Sequence, residues 1–141
     1  MSYKIYIPID STALSLGADD VYKAIQDEAS QRKINLQIVR NGSRGLFWLE
    51  PMIEVETNQG RMAYGPVTIN DVPSLFDAEF YLGKAHSLSH GLTEEITWLK
   101  NQERLTFARA GITDPINIEE YEKLDGFQGL KNAINLKPNE I

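Results

Sequence analysis

Two histidines have a spacing from which a metal site can be built. His86 and His90 lie four positions apart, so on a helix both rings would share one face and could form half of a metal site. No third ligand can be placed beside them, and Gly83 and Gly91 disfavour a helix in this stretch. We therefore interpret the two histidines as linker residues and assign no metal ligand.

Other catalytic groupings are equally unsupported by the sequence. Ser11 and Ser43 have no histidine–carboxylate relay, and the chain contains neither a GxGxxG nor a Walker loop for a nucleotide. The pair Phe47 and Trp48 could stack on a ligand, although aromatic side chains more often pack in a core or form an interface. We assign no catalytic residue to this chain.

Composition excludes further classes of function. The 141 residues contain no cysteine, which rules out disulfides, thiolate zinc sites and cysteine-ligated iron–sulfur clusters within the chain. Fourteen basic residues against 20 acidic ones give a net charge of −6 without a lysine or arginine cluster. Nucleic acids and anionic membranes need concentrated positive charge, so we expect neither as a partner. No segment has the pattern of a signal peptide or a membrane span, and we expect a cytoplasmic protein.

Hydrophobic periodicity predicts the order β-α-β-β-β-α for the first part of the chain. The alternating, β-branched pattern favours strands, and Val21, Ile25 and Ala29 recur at the spacing of a helix face. Gly60 suits the turn of a hairpin. The result is an α/β fold with a small mixed sheet and two helices. The predicted strands cover 3–9, 36–40, 52–57 and 61–67, and the predicted helices 19–33 and 71–82.

The pattern changes after Gly83. We expect a polar linker over 84–92, a helix over 93–103, an extended segment over 104–115 and two short helices within 118–135, broken at Gly126. A tail made of short elements has little apolar surface to fold around. We expect it to pack on something larger, either a further part of its own protein or another subunit.

The loop over 41–51 lies opposite the first loop, over 8–11. Two loops in this arrangement resemble those of thioredoxin-like ferredoxins, which hold an iron–sulfur cluster with a C-x4-C and a C-x3-C pair. In that frame the four ligand positions are Ile9, Leu14, Ser43 and Phe47, none of which is a thiolate. We expect a thioredoxin-like ferredoxin fold without its cluster, with these side chains packed as core in the vacated site.

Longer motifs point to a larger family. Residues 41–51 (NGSRGLFWLEP), 63–67 (AYGPV) and 90–96 (HGLTEEI) resemble the N-terminal region of the β subunit of NAD-dependent formate dehydrogenases. Residues 98–100 (WLK) and 104–107 (RLTF) resemble it as well. That subunit is related to the NADH-oxidising flavin subunits of respiratory complex I and of NAD-reducing hydrogenases. Residues 111–115 (GITDP) and 126–130 (GFQGL) resemble the lead-in to their flavin domain.

The resemblance implies a domain plan and a set of partners. It implies a clusterless thioredoxin-like domain over 1–83, a linker over 84–92 and, over 93–141, a helical lead-in to a flavin domain that lies outside this chain. FMN, NAD and a [4Fe–4S] cluster are implied for the parent subunit and for no residue here. The implied role is non-catalytic docking to the flavin domain and iron–sulfur subunits of the complex. We expect Phe47, Trp48 and Trp98 to form the contact surface, with Arg44 as its polar rim.

Three alternatives stay open. The chain could be a free-standing interaction module that binds a diaphorase partner in trans. It could be a redox protein with a metal site at His86 and His90. The parent could also be a hydrogenase or an NADH:quinone oxidoreductase instead of a formate dehydrogenase.

Overall fold

The computed structural model describes residues 2–140 and contains a five-stranded mixed sheet. The strands are β1 (Tyr3–Tyr6), β2 (Leu36–Val39), β3 (Ile53–Thr57), β4 (Gly60–Tyr64) and β5 (Ser89–Leu92), arranged in the order β2-β1-β3-β4-β5. β1 and β2 are parallel, and every other neighbouring pair is antiparallel. The predicted α/β class with a small mixed sheet is confirmed.

Six α-helices accompany the sheet. They are α1 (Ser11–Ser15), α2 (Ala18–Gln31), α3 (Val72–Asp77), α4 (Thr97–Lys100), α5 (Ile118–Lys123) and α6 (Gln128–Ala133). Four 3₁₀ turns lie at Phe47–Leu49, Ile69–Asp71, Phe80–Leu82 and Thr93–Glu95. The two short helices predicted at the C-terminal end are confirmed as α5 and α6. Gly126 lies between them, where a Cβ would come within 2.4 Å of the Tyr121 ring.

The main core lies on one face of the sheet, under α2 and α3. Val21, Ile25 and Ala29 of α2 are buried there, as their helical spacing predicts. Hairpin register places Ile53 opposite Tyr64 and Val55 opposite Met62, so these strands present one apolar face to the helices. Ile5 of β1 pairs with Val55 and completes the middle of this face.

The predicted second helix, 71–82, is interrupted. α3 ends at Asp77, Glu79 adopts a left-handed conformation with φ of 53°, and a separate 3₁₀ turn follows. The interruption turns Phe80 into the core, where its ring packs edge-on against Tyr64 and Phe76 at 5.9 and 5.2 Å between centroids. Burial of a large aromatic side chain outweighs continuation of the helix, a tertiary effect absent from the local pattern.

Part of the predicted linker is a strand. Residues 89–92 form β5, which pairs antiparallel with β4 and brings Leu92 opposite Met62. Gly91 takes φ of 77°, close to a register irregularity at Ala63 and Tyr64. The predicted helix over 93–103 is also shorter: a 3₁₀ turn at Thr93–Glu95 precedes α4, and Ile96, with ψ of 122°, separates the two. The division into domains stays a prediction, but the sheet extends past Gly83.

Because β5 is paired in the sheet, residues 89–92 should resist proteolysis better than the exposed segment after α4. We expect chymotrypsin to cut the native chain after Leu105 and Phe107, which are 83% and 72% exposed, before it cuts after Leu88 or Leu92. Backbone paired in a sheet must open before a protease can bind it, whereas exposed turns need little opening. Intact-mass analysis of a time course would identify the first cut, and initial cleavage at Leu88 or Leu92 would contradict the assignment of β5.

Candidate functional site

The first loop and the second loop, 8–11 and 41–51, run side by side at one end of the sheet. The Ile7 amide donates to the Val39 carbonyl at 3.0 Å, and the Ile9 amide donates to the Asn41 carbonyl at 2.9 Å. These bonds continue the parallel pairing of β1 and β2 into both loops. The predicted placement of the second loop opposite the first is therefore confirmed.

The side chains at the four expected ligand positions do not form a core. Ile9 and Ser43 are half-buried, while Leu14 and Phe47 are 38% and 56% exposed. The prediction that they fill the vacated site is wrong for Leu14 and Phe47. Asp10 caps α1 through its carboxylate, and the resulting helix buries Ala13 and turns Leu14 outward.

A buried carboxyl group lies in the second loop. Glu50 is 4% exposed, and its carboxylate accepts hydrogen bonds from Ser43 Oγ at 2.9 Å and the Met52 amide at 3.0 Å. Burial raises the pKa of Glu50, and the carboxylates of Asp10 and Glu54 act in the same direction, while the two hydrogen bonds oppose the shift. The loop is thus held by a carboxyl group with an elevated proton affinity.

Arg44 is buried, and its predicted role as an exposed rim is wrong. The side chain is 4% exposed, and its Nε and Nη2 donate to both carboxylate oxygens of Glu54 at 2.8 and 2.9 Å. Nη1 donates to Glu94 at 2.9 Å. Burial acts to lower the pKa of Arg44, but the hydrogen bonds and the charges of Glu54 and Glu94 outweigh it and leave the pKa raised.

Glu54 belongs to a polar network on the sheet face opposite the main core. It points to that face because Ile53 and Val55 point to the other. Tyr6 lies beside it, with its hydroxyl donating to Glu56 at 2.5 Å and the Arg61 guanidinium 3.4 Å from the centre of its ring. The strand alternation in the sequence could have indicated this polar face, but the pairing with Arg44 depends on the fold of the loop.

The segment after α4 is tied to the second loop and to β4 by three hydrogen bonds to backbone carbonyls. Arg104 donates to the Arg44 carbonyl at 2.9 Å, Arg61 donates to the Ile112 carbonyl at 2.8 Å, and Asn41 donates to the Gly111 carbonyl at 2.8 Å. Gly111 has φ of 73°, and a Cβ there would lie 2.5 Å from Arg44 Cδ. The close approach requires glycine at this position.

An exposed aromatic surface lies above a small second core. Trp48 and Trp98 are each 57% exposed, with rings edge to face and centroids 5.6 Å apart, and the neighbouring Phe47 is 56% exposed. Below them, the 3₁₀ turn of the second loop and α4 bury a separate apolar cluster formed by Leu46, Leu49, Met52, Ala63 and Leu99. The structure thus brings together three predicted contact residues, and their role as an interface stays a prediction. We name Phe47, Trp48 and Trp98 the tryptophan surface.

A groove adjoins the tryptophan surface. It encloses about 840 Å³ between the second loop and the segment after α4, with Phe47, Trp98, Leu105 and Phe107 among its lining residues. Leu105 and Phe107 gave no periodic signal in the sequence, because they follow an irregular segment. Only the return of this segment to the loops places them beside Phe47.

The two histidines do not share a helix face. His86 lies in a loop with Nε2 3.2 Å from Ser74 Oγ, and His90 lies in β5 with Nε2 2.7 Å from the Gly65 carbonyl. Within residues 2–140, no group of three or more His, Asp or Glu side chains is arranged to hold a metal ion. Over the same residues, no helix combines the length and apolar character needed to cross a membrane.

Comparison with known proteins gives the fold. The chain is similar to two structures of the thioredoxin-like [2Fe–2S] ferredoxin from Aquifex aeolicus, the wild type and a cysteine-to-serine variant. Both align with a TM-score of 0.52 over 63% of this chain, at 15% and 16% identity, and over 96% and 98% of the ferredoxin. No family model matches the sequence, and no curated protein matches it. The chain therefore has a thioredoxin-like fold of the ferredoxin type.

Removal of one partner of the Arg44–Glu54 pair should be strongly destabilising. We expect Arg44→Met to lower the free energy of unfolding by about 3 kcal/mol, because Glu54 would be left buried without its main partner. Urea unfolding measures the loss. Arg32→Met, which removes an exposed arginine paired with Glu28 and Asp77, is the matched control and should have a much smaller effect. Equal losses in the two variants would contradict the assigned importance of the buried pair.

Glu50 should make stability fall as pH rises. The pKa of Glu50 is raised in the folded state above its ordinary value of 4.5. At a pH between these two pKa values, the folded chain therefore binds more protons than the unfolded chain. The stability that Glu50 contributes is fully present below pH 4.5 and is lost as the pH rises through its folded-state pKa. Urea midpoints measured from pH 4 to pH 8 should show less decline in Glu50→Gln than in the wild type.

Glu56 provides a control of opposite sign for this measurement. The Tyr6 hydroxyl, which donates to its carboxylate, is the main cause of its lowered pKa. Its contribution to stability is therefore present above 4.5 and lost as pH falls through the folded pKa. With the pH range extended below 4, Glu56→Gln should remove a decline of the urea midpoint on the acid side and leave the slope on the neutral side unchanged. Parallel pH profiles for wild type and Glu50→Gln would sink the assignment of Glu50.

Proposed function

We propose that this chain is a non-catalytic docking module of an NADH- and flavin-containing oxidoreductase complex of the formate dehydrogenase type. The observation that carries the proposal is the tryptophan surface, which is formed by the second loop and α4. In the ferredoxin frame, that loop would supply two thiolate ligands. Here it presents Phe47 and Trp48 to solvent instead.

The absence of cysteine separates this module from an electron carrier of the ferredoxin type. The similar structures are described as [2Fe–2S] ferredoxins, and such clusters are held by thiolates. Ile9, Leu14, Ser43 and Phe47 cannot supply them. The thioredoxin-like frame is compatible with a place in an electron-transfer assembly, while the side chains of its loops favour contact with a neighbour.

The exposed aromatic residues favour a protein as that neighbour. Tryptophan is enriched among the residues that dominate binding energy at interfaces, because it combines a large apolar area with a rigid shape. Phe47, Trp48 and Trp98 adjoin in sequence the buried residues Leu46, Leu49 and Leu99 of the second core, so their backbone is held in place before a partner covers them. We take the occupant to be the flavin domain of the parent complex, which would bind FMN and NAD, with the [4Fe–4S] cluster also outside this chain.

The assembly would lie in the cytoplasm and contain iron–sulfur subunits that pass electrons from formate oxidation to flavin and NAD. Docking could take place within one polypeptide or between two. The same surface would serve a hydrogenase or an NADH:quinone oxidoreductase parent. Only the sequence motifs favour a formate dehydrogenase over these two.

An N-terminal tag on the chromosomal copy of the gene tests the proposal for either arrangement. We expect the purified material to contain bound flavin and to reduce ferricyanide with NADH. Where the flavin domain is a separate polypeptide, Trp48→Ala combined with Trp98→Ala should lower that activity per tagged chain by roughly tenfold or more, because truncation of a tryptophan that is an interface hot spot costs about 2 kcal/mol or more.

Ile69→Ser combined with Leu82→Ser is the matched control. Both residues are exposed apolar side chains away from the tryptophan surface, at 53% and 43% exposure, so their removal should leave the activity unchanged. Purified wild-type material without flavin or NADH oxidation would refute the assignment to a flavin complex. Where the flavin domain is a separate polypeptide, full activity in the tryptophan double variant would refute the docking surface.

A further inference from the structure

A second group of exposed residues lies in and around α5, in residues 116–125. Ile116 and Ile118 are 86% and 61% exposed, and neither contributes to the two apolar clusters of the fold. Glu119 and Glu122 of α5 and Asp125, two residues after its end, are exposed in the same stretch of chain. We name these five residues the α5 face.

Helix geometry separates this face from the side of α5 that packs on the protein. Asn117 caps the helix by accepting from the amides of Glu119 and Glu120 at 3.0 and 3.1 Å. Glu120 is half-buried and accepts from the Asp114 amide at 2.9 Å, so it marks the inner side. At 3.6 residues per turn, Ile118 and Glu122 lie on the opposite side of the helix and point to solvent.

Negative charge is concentrated in the same stretch. Residues 114–125 contain five carboxylates and one lysine, which accounts for most of the excess negative charge of the chain. None of the salt bridges found within residues 2–140 involves Glu119, Glu122 or Asp125. Their charges are therefore not neutralised by a neighbour in that part of the chain.

We propose that the α5 face binds a basic amphipathic segment of a partner protein. Apolar side chains of such a segment would cover Ile116 and Ile118, and its lysine or arginine side chains would pair with Glu119, Glu122 and Asp125. Charge complementarity of this kind steers association and selects the partner more than it adds affinity. Nucleic acids and anionic membranes are repelled by the same carboxylates.

This surface extends the docking role to a second contact and does not depend on the tryptophan surface. A partner that carries both contacts would be held at two places, which fixes its orientation as well as its affinity.

The experiment uses the full chain and a fluorescent amphipathic helical peptide made of leucine and lysine. We expect saturable binding that weakens as salt is raised, because the attraction between exposed charges is screened. Glu119→Gln combined with Glu122→Gln should weaken binding by roughly fivefold, which corresponds to about 0.5 kcal/mol for each exposed pair. Ile118→Ser should weaken it as well.

Asp20→Asn combined with Asp27→Asn is the matched control. It removes the same charge from exposed positions on α2 and should change the affinity by less than about twofold. A peptide with glutamate in place of lysine should not bind. Circular dichroism of each variant would establish that the helices are retained.

Two results would overturn the proposal. Equal weakening by the α2 and α5 charge variants would mean that only net charge attracts the peptide. Equal binding of the glutamate peptide would mean that the contact is apolar without charge selection. Trp48→Ala combined with Trp98→Ala should leave peptide binding intact, so a failed test here is distinguishable from a failure of the tryptophan surface.

Discussion

The buried pair of Arg44 and Glu54 joins the three parts of this molecule. Glu54 is supplied by the centre of the sheet, Arg44 by the second loop, and Glu94 on the third side by the segment that follows β5. A guanidinium group withdrawn from water is stable only when carboxylates satisfy its donors with good geometry. The position of the loop is therefore set by the need to satisfy Arg44, and the loop in turn sets where Phe47 and Trp48 face.

The two faces of the sheet differ in polarity. One face is apolar and is covered by α2 and α3, as in an ordinary two-layer α/β unit. The other carries Tyr6, Glu54 and Arg61, which require polar partners once they are covered. The Tyr6 hydroxyl finds its partner within the sheet, at Glu56 of β3. Glu54 is paired with Arg44 of the second loop, and Arg61 donates to the Ile112 carbonyl in the segment after α4. The C-terminal segment is thus attached to the sheet by hydrogen bonds, while many of its apolar side chains stay exposed and available to other surfaces.

The side-by-side course of the two loops does not depend on cysteine ligands. The loops lie together because the parallel pairing of β1 and β2 extends into them. Their side chains form other contacts: Glu50 and Ser43 form a buried polar contact, and Leu14 and Phe47 point outward. A frame held by main-chain hydrogen bonds tolerates these side chains, because its geometry does not depend on the identity of the side chains.

Local patterns in the sequence were sufficient for the fold class, the buried face of α2, the β3–β4 hairpin and the break between α5 and α6, because these follow from periodicity and turn chemistry. The absence of a thiolate cluster also follows from the sequence, since it is a matter of composition. Tertiary structure decided the rest. β5 forms because β4 offers an open edge, α3 stops because Phe80 enters the core, and Arg44 is buried because Glu54 lies above it in space. Each of these depends on groups distant in the chain, whose pairing no local pattern records.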